Sequence, residues 1–214
     1  CVFTMSMNVY NYSGHITRYD YRGAMCFQIE NFQTGSNNWD VEDVLPAFEK
    51  VVNSFRPDLV HFNSIQFLGL QLVEFCKRLG IPYIVTAHDA WWICERQFML
   101  NDKDKFCAQD KLGIDLYKCA QCTKSRTLFS RWARMHSALL GARLVLTPSD
   151  YQASLYIKSG LPKELVHTNR NGILTPASVL PHQNGGILRL AYLGGKCEHK
   201  GYFFLKDIMK DIKG

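Results

Sequence analysis

Two glycines, two lysines and a histidine between residues 194 and 200 are the densest phosphate-binding chemistry in this sequence. The segment ILRLAYLGGKCEHKGYFFLKDIMKDIKG (187–214) reads as a short apolar strand and a turn at Gly194 and Gly195. A basic loop with Lys196, His199 and Lys200 follows, then an amphipathic helix. Glycine lets backbone approach a ligand, a helix N-terminus offers oriented N–H groups, and lysine adds full charge. Together these make an anion site. The plainer reading is a solvated helix start with its lysines in water.

A second concentration lies in IPYIVTAHDAWWIC (81–94). His88 closes an apolar run, where it serves either a site or the core. Asp89 either orients His88 or caps the loop that follows. His61, within PDLVHFNS, reads as structural. Trp91 and Trp92 could stack an acceptor or pack beneath the next segment. The third concentration is Cys94, Cys107, Cys119 and Cys122, spaced C-x12-C-x11-C-x2-C inside an insert at 90–123 too short and polar to hold its own core. Tetrahedral zinc would staple it, with the four thiolates as ligands. Four free thiols, a disulfide or an iron–sulfur cluster are the alternatives.

The elements that must position these residues share one grammar. PDLVHFNS (57–64), IPYIVTAHD (81–89) and ARLVLTPSD (142–150) are apolar, β-rich runs. IQFLGLQLVEFCKRLG (65–80) and YQASLYIKSG (151–160) have helical spacing, and VEDVLPAFEKVVNSF (41–55) supplies a helix with Pro46 at a kink or in its first turn. Such alternation predicts an α/β fold with a doubly wound, Rossmann-like parallel sheet covered on both faces. Residues 1–38 read as shorter β segments, VFTMSMNVY and AMCFQIE. Ligand-binding residues in such sheets gather beyond the carboxyl ends of the strands. That puts His61, Asn63, His88, Asp89, Ser149, Asp150 and the 194–200 loop on one rim. The Asn-, Gly- and Pro-rich stretch after residue 168 reads as a linker. The expected organisation is a first domain over 1–172, a linker over 173–186, and the first strand and helix of a second Rossmann-like domain over 187–214.

The 214 residues, 47% hydrophobic, suffice for a sizeable core. No apolar run approaches the roughly 18 residues that span a bilayer, and no signal peptide is legible. A start at CVFTMSM, without an initiator methionine, reads as a fragment. The net charge of +6 is dispersed and not interleaved with aromatics, so no nucleic-acid partner is expected. Eight cysteines in a chain this long suit a reducing compartment. The stretch KSRTLFSRWARMHSALLG (124–141) reads as an amphipathic helix with Arg126, Arg131 and Arg134 outward; a membrane-surface face is the alternative.

In order and spacing, PDLVHFNS, IPYIVTAHDAWWIC, ARLVLTPSD, NRNGI and LGGKCEHKG resemble the family 4 retaining glycosyltransferases of GT-B fold, from about residue 40 to the end. The resemblance implies an acceptor-side domain followed by the start of a nucleotide-sugar-binding domain. It implies a nucleotide-sugar donor, a glycan or lipid-linked acceptor of the cell envelope, and no catalytic metal. It also implies a cytoplasmic location, with peripheral contact on the inner face of the membrane. His88 matches the family histidine facing the sugar and acceptor, and Lys200 matches the lysine that contacts the diphosphate. Gly195 stands where the family has an arginine, and Lys196, one position on, offers a point charge without bidentate geometry. The family's first glycine-rich loop is absent, and its paired-glutamate segment would fall well beyond Gly214.

Two readings from other classes stand beside this one. A zinc-stapled module could bind nucleic acid or protein through the 90–123 insert, a reading the dispersed charge disfavours. An epimerase- or reductase-type Rossmann enzyme would need a G-x-G-x-x-G turn after its first strand, and none is present.

Overall fold

The computed structural model describes residues 1–7, 15–31, 39–109, 111–174, 178 and 190–212. They form two compact units, Cys1–Asn171 and Gly172–Gly214. In the first unit, β1 (Val2–Met7), β2 (Ile16–Tyr21) and β3 (Ala24–Asn31) build a three-stranded sheet in the order β1-β3-β2. β1 runs parallel to β3 and β2 antiparallel to it. The β2–β3 turn is Arg22-Gly23, both at positive φ (50° and 80°), the pairing a type I′ hairpin demands. β2 has no counterpart in the sequence reading. Five of its six residues are exposed, so no buried stripe marks it. Residues 8–10 of the expected first segment lie outside the described residues.

The second sheet is parallel throughout: β4 (Val60–Phe62), β5 (Tyr83–Thr86), β6 (Leu144–Thr147) and β7 (Val166–Thr168), in chain order. Register runs Phe62 to Val85, Val85 to Val145 and Val145 to Val166. The crossovers are α2 (Gln71–Arg78), α3 (Leu116–Thr123) with α4 (Leu128–Leu140), and α5 (Asp150–Lys158); α1 (Leu45–Phe55) precedes β4. The α/β class is as the sequence predicts. The sequence did not predict the division into two sheets or the strand β7, whose three residues are too few for a pattern. Between β1 and β4 lies a cavity of about 610 Å³, lined largely by apolar side chains including Phe48 and Phe62.

Local chemistry sets the helix ends. Pro46 sits in the first turn of α1, where its missing N–H costs nothing. α2 begins only at Gln71, because Gly69 at φ +95° interrupts the run from residue 65. Ser149 caps α5, its hydroxyl accepting from the Gln152 N–H at 3.2 Å. The core is continuous from Phe48, Val52 and Phe75 through Tyr83, Val85 and Val145 to Leu139 and Tyr156. The Tyr83 hydroxyl donates to Ala138 O at 2.7 Å and ties β5 to α4; burial pushes its pKa up to about 12.

α4 departs from expectation. Arg131 is 2% exposed, donates to Trp91 O, and lies over the Trp91 ring at 5.0 Å. Arg134 grips Glu74 and Asp40 and stacks on Trp39 at 5.1 Å. Of the three arginines read as outward, only Arg126 is exposed. An arginine that satisfies its donors on carboxylates or carbonyls and stacks on indole can face inward. The cationic membrane face is thereby lost. No helix among the described residues is long and apolar enough to cross a membrane.

In the second unit, a 3₁₀ turn over Glu198–Lys200 leads through Gly201 into α6 (Tyr202–Asp211). The strand expected over 187–193 does not form at Leu190–Leu193, its described part. A strand needs a neighbour to pair with, and no strand lies among the described residues of this unit. Residues 187–189 and most of the expected linker, 175–177 and 179–186, lie outside the described residues.

Candidate functional site

The parallel strands end in a polar rim. Asn63 follows β4 directly, and His88 follows β5 after Ala87, so adjacent strands deliver both to the same edge. The Oδ1 atom of Asn63 lies 3.3 Å from His88 Nε2, which fixes His88 as the donor there. The His88 ring is exposed on the outer side, open to a ligand. Asn63, Ser64, Gln66, His88, Asp89, Trp91 and Trp92 line a small pocket of about 20 Å³. It has the size of a notch for one hydroxyl, not of a cavity for a whole sugar.

His61 is a site neighbour that the sequence reading set aside. Its Nε2 shares a 2.7 Å hydrogen bond with Thr86 Oγ1 on β5, a side-chain partner, not the backbone that a buried-strand histidine usually finds. Partial burial of the ring lowers its pKa from 6.5, and the charge of the nearby His88 lowers it further. Two imidazoles thus stand near one another, His61 on β4 and His88 just beyond β5, and a positive charge on either would repel one on the other.

The structure resolves the two roles weighed for Asp89. Its Oδ1 accepts from the Trp91 N–H at 2.8 Å and its Oδ2 from Gln97 Nε2 at 2.6 Å. Its main-chain oxygen accepts from Gln152 Nε2 and the Tyr156 hydroxyl, each at 2.7 Å. The carboxylate is turned to the following loop and not to the His88 ring, which pairs with Asn63. In this geometry Asp89 acts as a turn cap that positions residues 88–93, the second of the two roles read for it. Trp91 and Trp92 are 4% and 3% exposed and pack edge to face at 5.6 Å, so neither offers a ring face as a stacking platform.

On β6 and β7 the rim continues with Asp150, which accepts from the Thr168 hydroxyl at 2.6 Å and from Arg170 at 3.4 Å. The Thr168 hydrogen bond, then the Arg170 charge, holds its carboxyl below the usual carboxylate range.

The loop of the second unit is described on its own. Tyr192 donates to Gly195 O at 3.0 Å or Lys200 O at 3.2 Å, closing the loop on itself. A Cβ on Gly194 would lie 2.8 Å from the Tyr192 hydroxyl, the far end of a side chain that could move aside. Gly195 has space for a side chain. The glycine that backbone conformation requires is Gly201, left-handed at φ +74°, which the sequence reading did not single out. Lys196 Nζ lies over the Tyr202 ring at 5.7 Å. Lys200 is exposed at the end of the 3₁₀ turn.

Cys94, Cys107, Cys119 and Cys122 are all free and all half-buried. Burial raises the Cys119 thiol to about 11 against a hydrogen bond from Gln109, and the Cys94, Cys107 and Cys122 sulfurs add to the rise. Among the described residues, no group of three or more His, Cys, Asp or Glu side chains is placed to hold a metal ion as it stands.

The family model for Glycosyltransferase Family 4 matches residues 28–175, which carry β4 to β7, the rim and the cysteine insert. Neither among the curated proteins nor among the solved structures was a match to the chain found.

Proposed function

The chain belongs to glycosyltransferase family 4, and from that premise we propose that it transfers a sugar from a nucleotide-sugar donor to a glycan or lipid-linked acceptor, with retention of configuration, in cell-envelope polysaccharide synthesis. The observation that supports this best is the Asn63–His88 pair, exposed beyond the carboxyl ends of two parallel strands of the matched region. The first unit is the acceptor-side domain of this reading, and residues 187–214 open the nucleotide-sugar domain.

In this reaction the bond from the anomeric carbon to the β-phosphate oxygen breaks, and the electron pair leaves with the nucleoside diphosphate. A new bond forms from that carbon to an acceptor hydroxyl, whose proton passes to the departing phosphate or to solvent. Charge builds on the phosphate while the sugar becomes oxocarbenium-like. Cations and backbone amides set in advance around the diphosphate therefore favour the transition state over the ground state. Lys200 takes that role, with Lys196 as a second charge and Gly194, Gly195 and Gly201 shaping the loop. His88 binds the transferred sugar or an acceptor hydroxyl through the ring edge that Asn63 leaves free. The chemistry so written requires no catalytic metal. The setting that suits such acceptors is the cytoplasmic face of the membrane.

Thermal-shift screening against UDP-, GDP- and dTDP-sugars identifies the donor, and Lys200→Ala then tests the site. Turnover is expected to fall on the order of 10²–10³-fold, as when other preorganised charge stabilisers are removed. Near-normal turnover would reject the donor-site assignment.

A further inference from the structure

We propose that Cys94, Cys107, Cys119 and Cys122 bind one structural zinc ion that clamps the 90–123 insert onto the first unit. The insert meets the core at its start, at Met99, and again through Cys107 and Ile114. Ala90, Trp91, Trp92 and Ile93 are buried in the main core, but α3 contains no buried residue. An eight-residue helix is marginal by itself. α3 meets the first unit through α4, the Tyr117–Phe129 ring pair among the contacts, and it carries two of the four cysteines.

The local geometry is that of a ligand set in waiting. The chain between Cys94 and Cys107 folds back on itself. Leu100 bridges Phe106 in antiparallel fashion, and the Cys107 N–H donates to Met99 O at 2.8 Å, which brings the two cysteines to one end of the loop. The backbone N–H groups of Met99 and Arg96 hydrogen-bond the Cys94 sulfur, as amides do around metal-bound thiolates. Cys119 and Cys122 are three residues apart on α3 and so share one face of the helix. Gln109 reaches the Cys119 sulfur at 3.6 Å, and the other three sulfurs lie in the neighbourhood of Cys119. Arg131 lies close enough to Cys94 to offset accumulated negative charge. Beside Cys94 in sequence, Glu95 leaves a buried oxygen, Oε2, with no hydrogen-bond partner.

The four sulfurs are not gathered around a common point as they stand. Closure needs side-chain rotation and a small adjustment of α3, which buries no residue in the core. Four thiolates and no open position define a structural zinc, not a catalytic one. The other cysteines differ: Cys76 is wholly buried in apolar surroundings that push its thiol up to about 12, and Cys197 lies in the second unit.

The test is metal analysis of the purified protein under reducing conditions, after dialysis against metal-free buffer. About one zinc per chain is expected, released by a thiol-blocking mercurial. Cobalt(II) added to the stripped protein should give the strong d–d and charge-transfer absorption of a tetrahedral tetrathiolate. Cys119→Ser with Cys122→Ser should abolish both signals, and Cys197→Ser should leave them unchanged. The wild-type measurements keep the proposal open to rejection even if the double variant fails to fold. Zinc below roughly a few tenths per chain with all thiols reactive, an intact-mass loss showing a disulfide, or iron with sulfide in place of zinc would each overturn it. None of these readouts depends on transferase activity.

Discussion

Asn63 holds His88: the carboxamide oxygen beyond β4 accepts from the imidazole beyond β5 at 3.3 Å, so one ring nitrogen is committed on a residue that is otherwise exposed. Removing the ring and removing its partner should therefore differ. His88→Ala is expected to lower kcat/KM roughly 10- to 150-fold, the effect of losing about 1.5–3 kcal/mol of polar contact with substrate. Asn63→Ala leaves the ring in place and unfixed, at about fivefold, or ~1 kcal/mol. Steady-state kinetics on both variants checks the order. Equal rates for His88→Ala and wild type would remove His88 from the site.

The rim was legible in the sequence because parallel strands announce themselves as continuous apolar runs, and their polar ends follow by topology. Asn63 and His88 were found that way. What stayed hidden depended on partners distant in sequence. Arg131 and Arg134 read as outward cations, since nothing local shows that Trp91 O and Glu74 would receive them. β7 was missed because Val166, His167 and Thr168 are too few to carry a period, and become a strand only by pairing with β6. Gly201 was passed over for the more conspicuous Gly194–Gly195, because a left-handed φ leaves no mark on composition.

His61 should titrate below 6.5, since partial burial and then the neighbouring His88 both disfavour its charged form. The sign follows from linkage. The unfolded chain takes up this proton more readily than the folded one, so the stability this histidine withdraws appears as pH falls through 6.5 towards the folded value, and none is lost above. The imidazole resonances of His61 should move at a midpoint under 6.5. His61→Gln keeps a partner for Thr86 and should flatten the acid limb of stability measured by urea unfolding between about pH 7.5 and 5. A midpoint above the ordinary histidine value would contradict the placement of this ring.

Asp89→Asn separates capping from catalysis. An asparagine oxygen can still accept from the Trp91 N–H, and Gln97 can rotate its amide to offer an oxygen. Stability should therefore drop by no more than about 1 kcal/mol, with kcat within roughly threefold of wild type. Asp89→Ala removes both acceptors and should cost about 1–2 kcal/mol. Were the carboxylate a general acid or base, Asp89→Asn would instead lower kcat by roughly 10²–10⁴-fold with folding unchanged. Denaturation midpoints measured beside kinetics distinguish the two.

Arg134 meets Glu74 in a fork, Nε to Oε1 and Nη2 to Oε2, both at 2.8 Å, and reaches Asp40 with Nη1 at 2.9 Å. Asp40 also accepts from Gln71, whose Oε1 in turn receives the Val41 N–H at 3.2 Å. One guanidinium thus ties α4 to α2 and to the segment before α1, behind the sheet that carries the rim. Its side chain is 35% exposed, so water screens part of the attraction. Arg134→Ala should destabilise the first unit by about 2 kcal/mol, and the double-mutant cycle with Glu74→Ala should give a coupling near ~1 kcal/mol. Arg134→Lys keeps the charge and loses the fork and much of the stacking on Trp39, so it should recover less than half of the loss. Urea unfolding of wild type and the four variants measures this; full recovery by lysine would show that charge, not geometry, makes the tie.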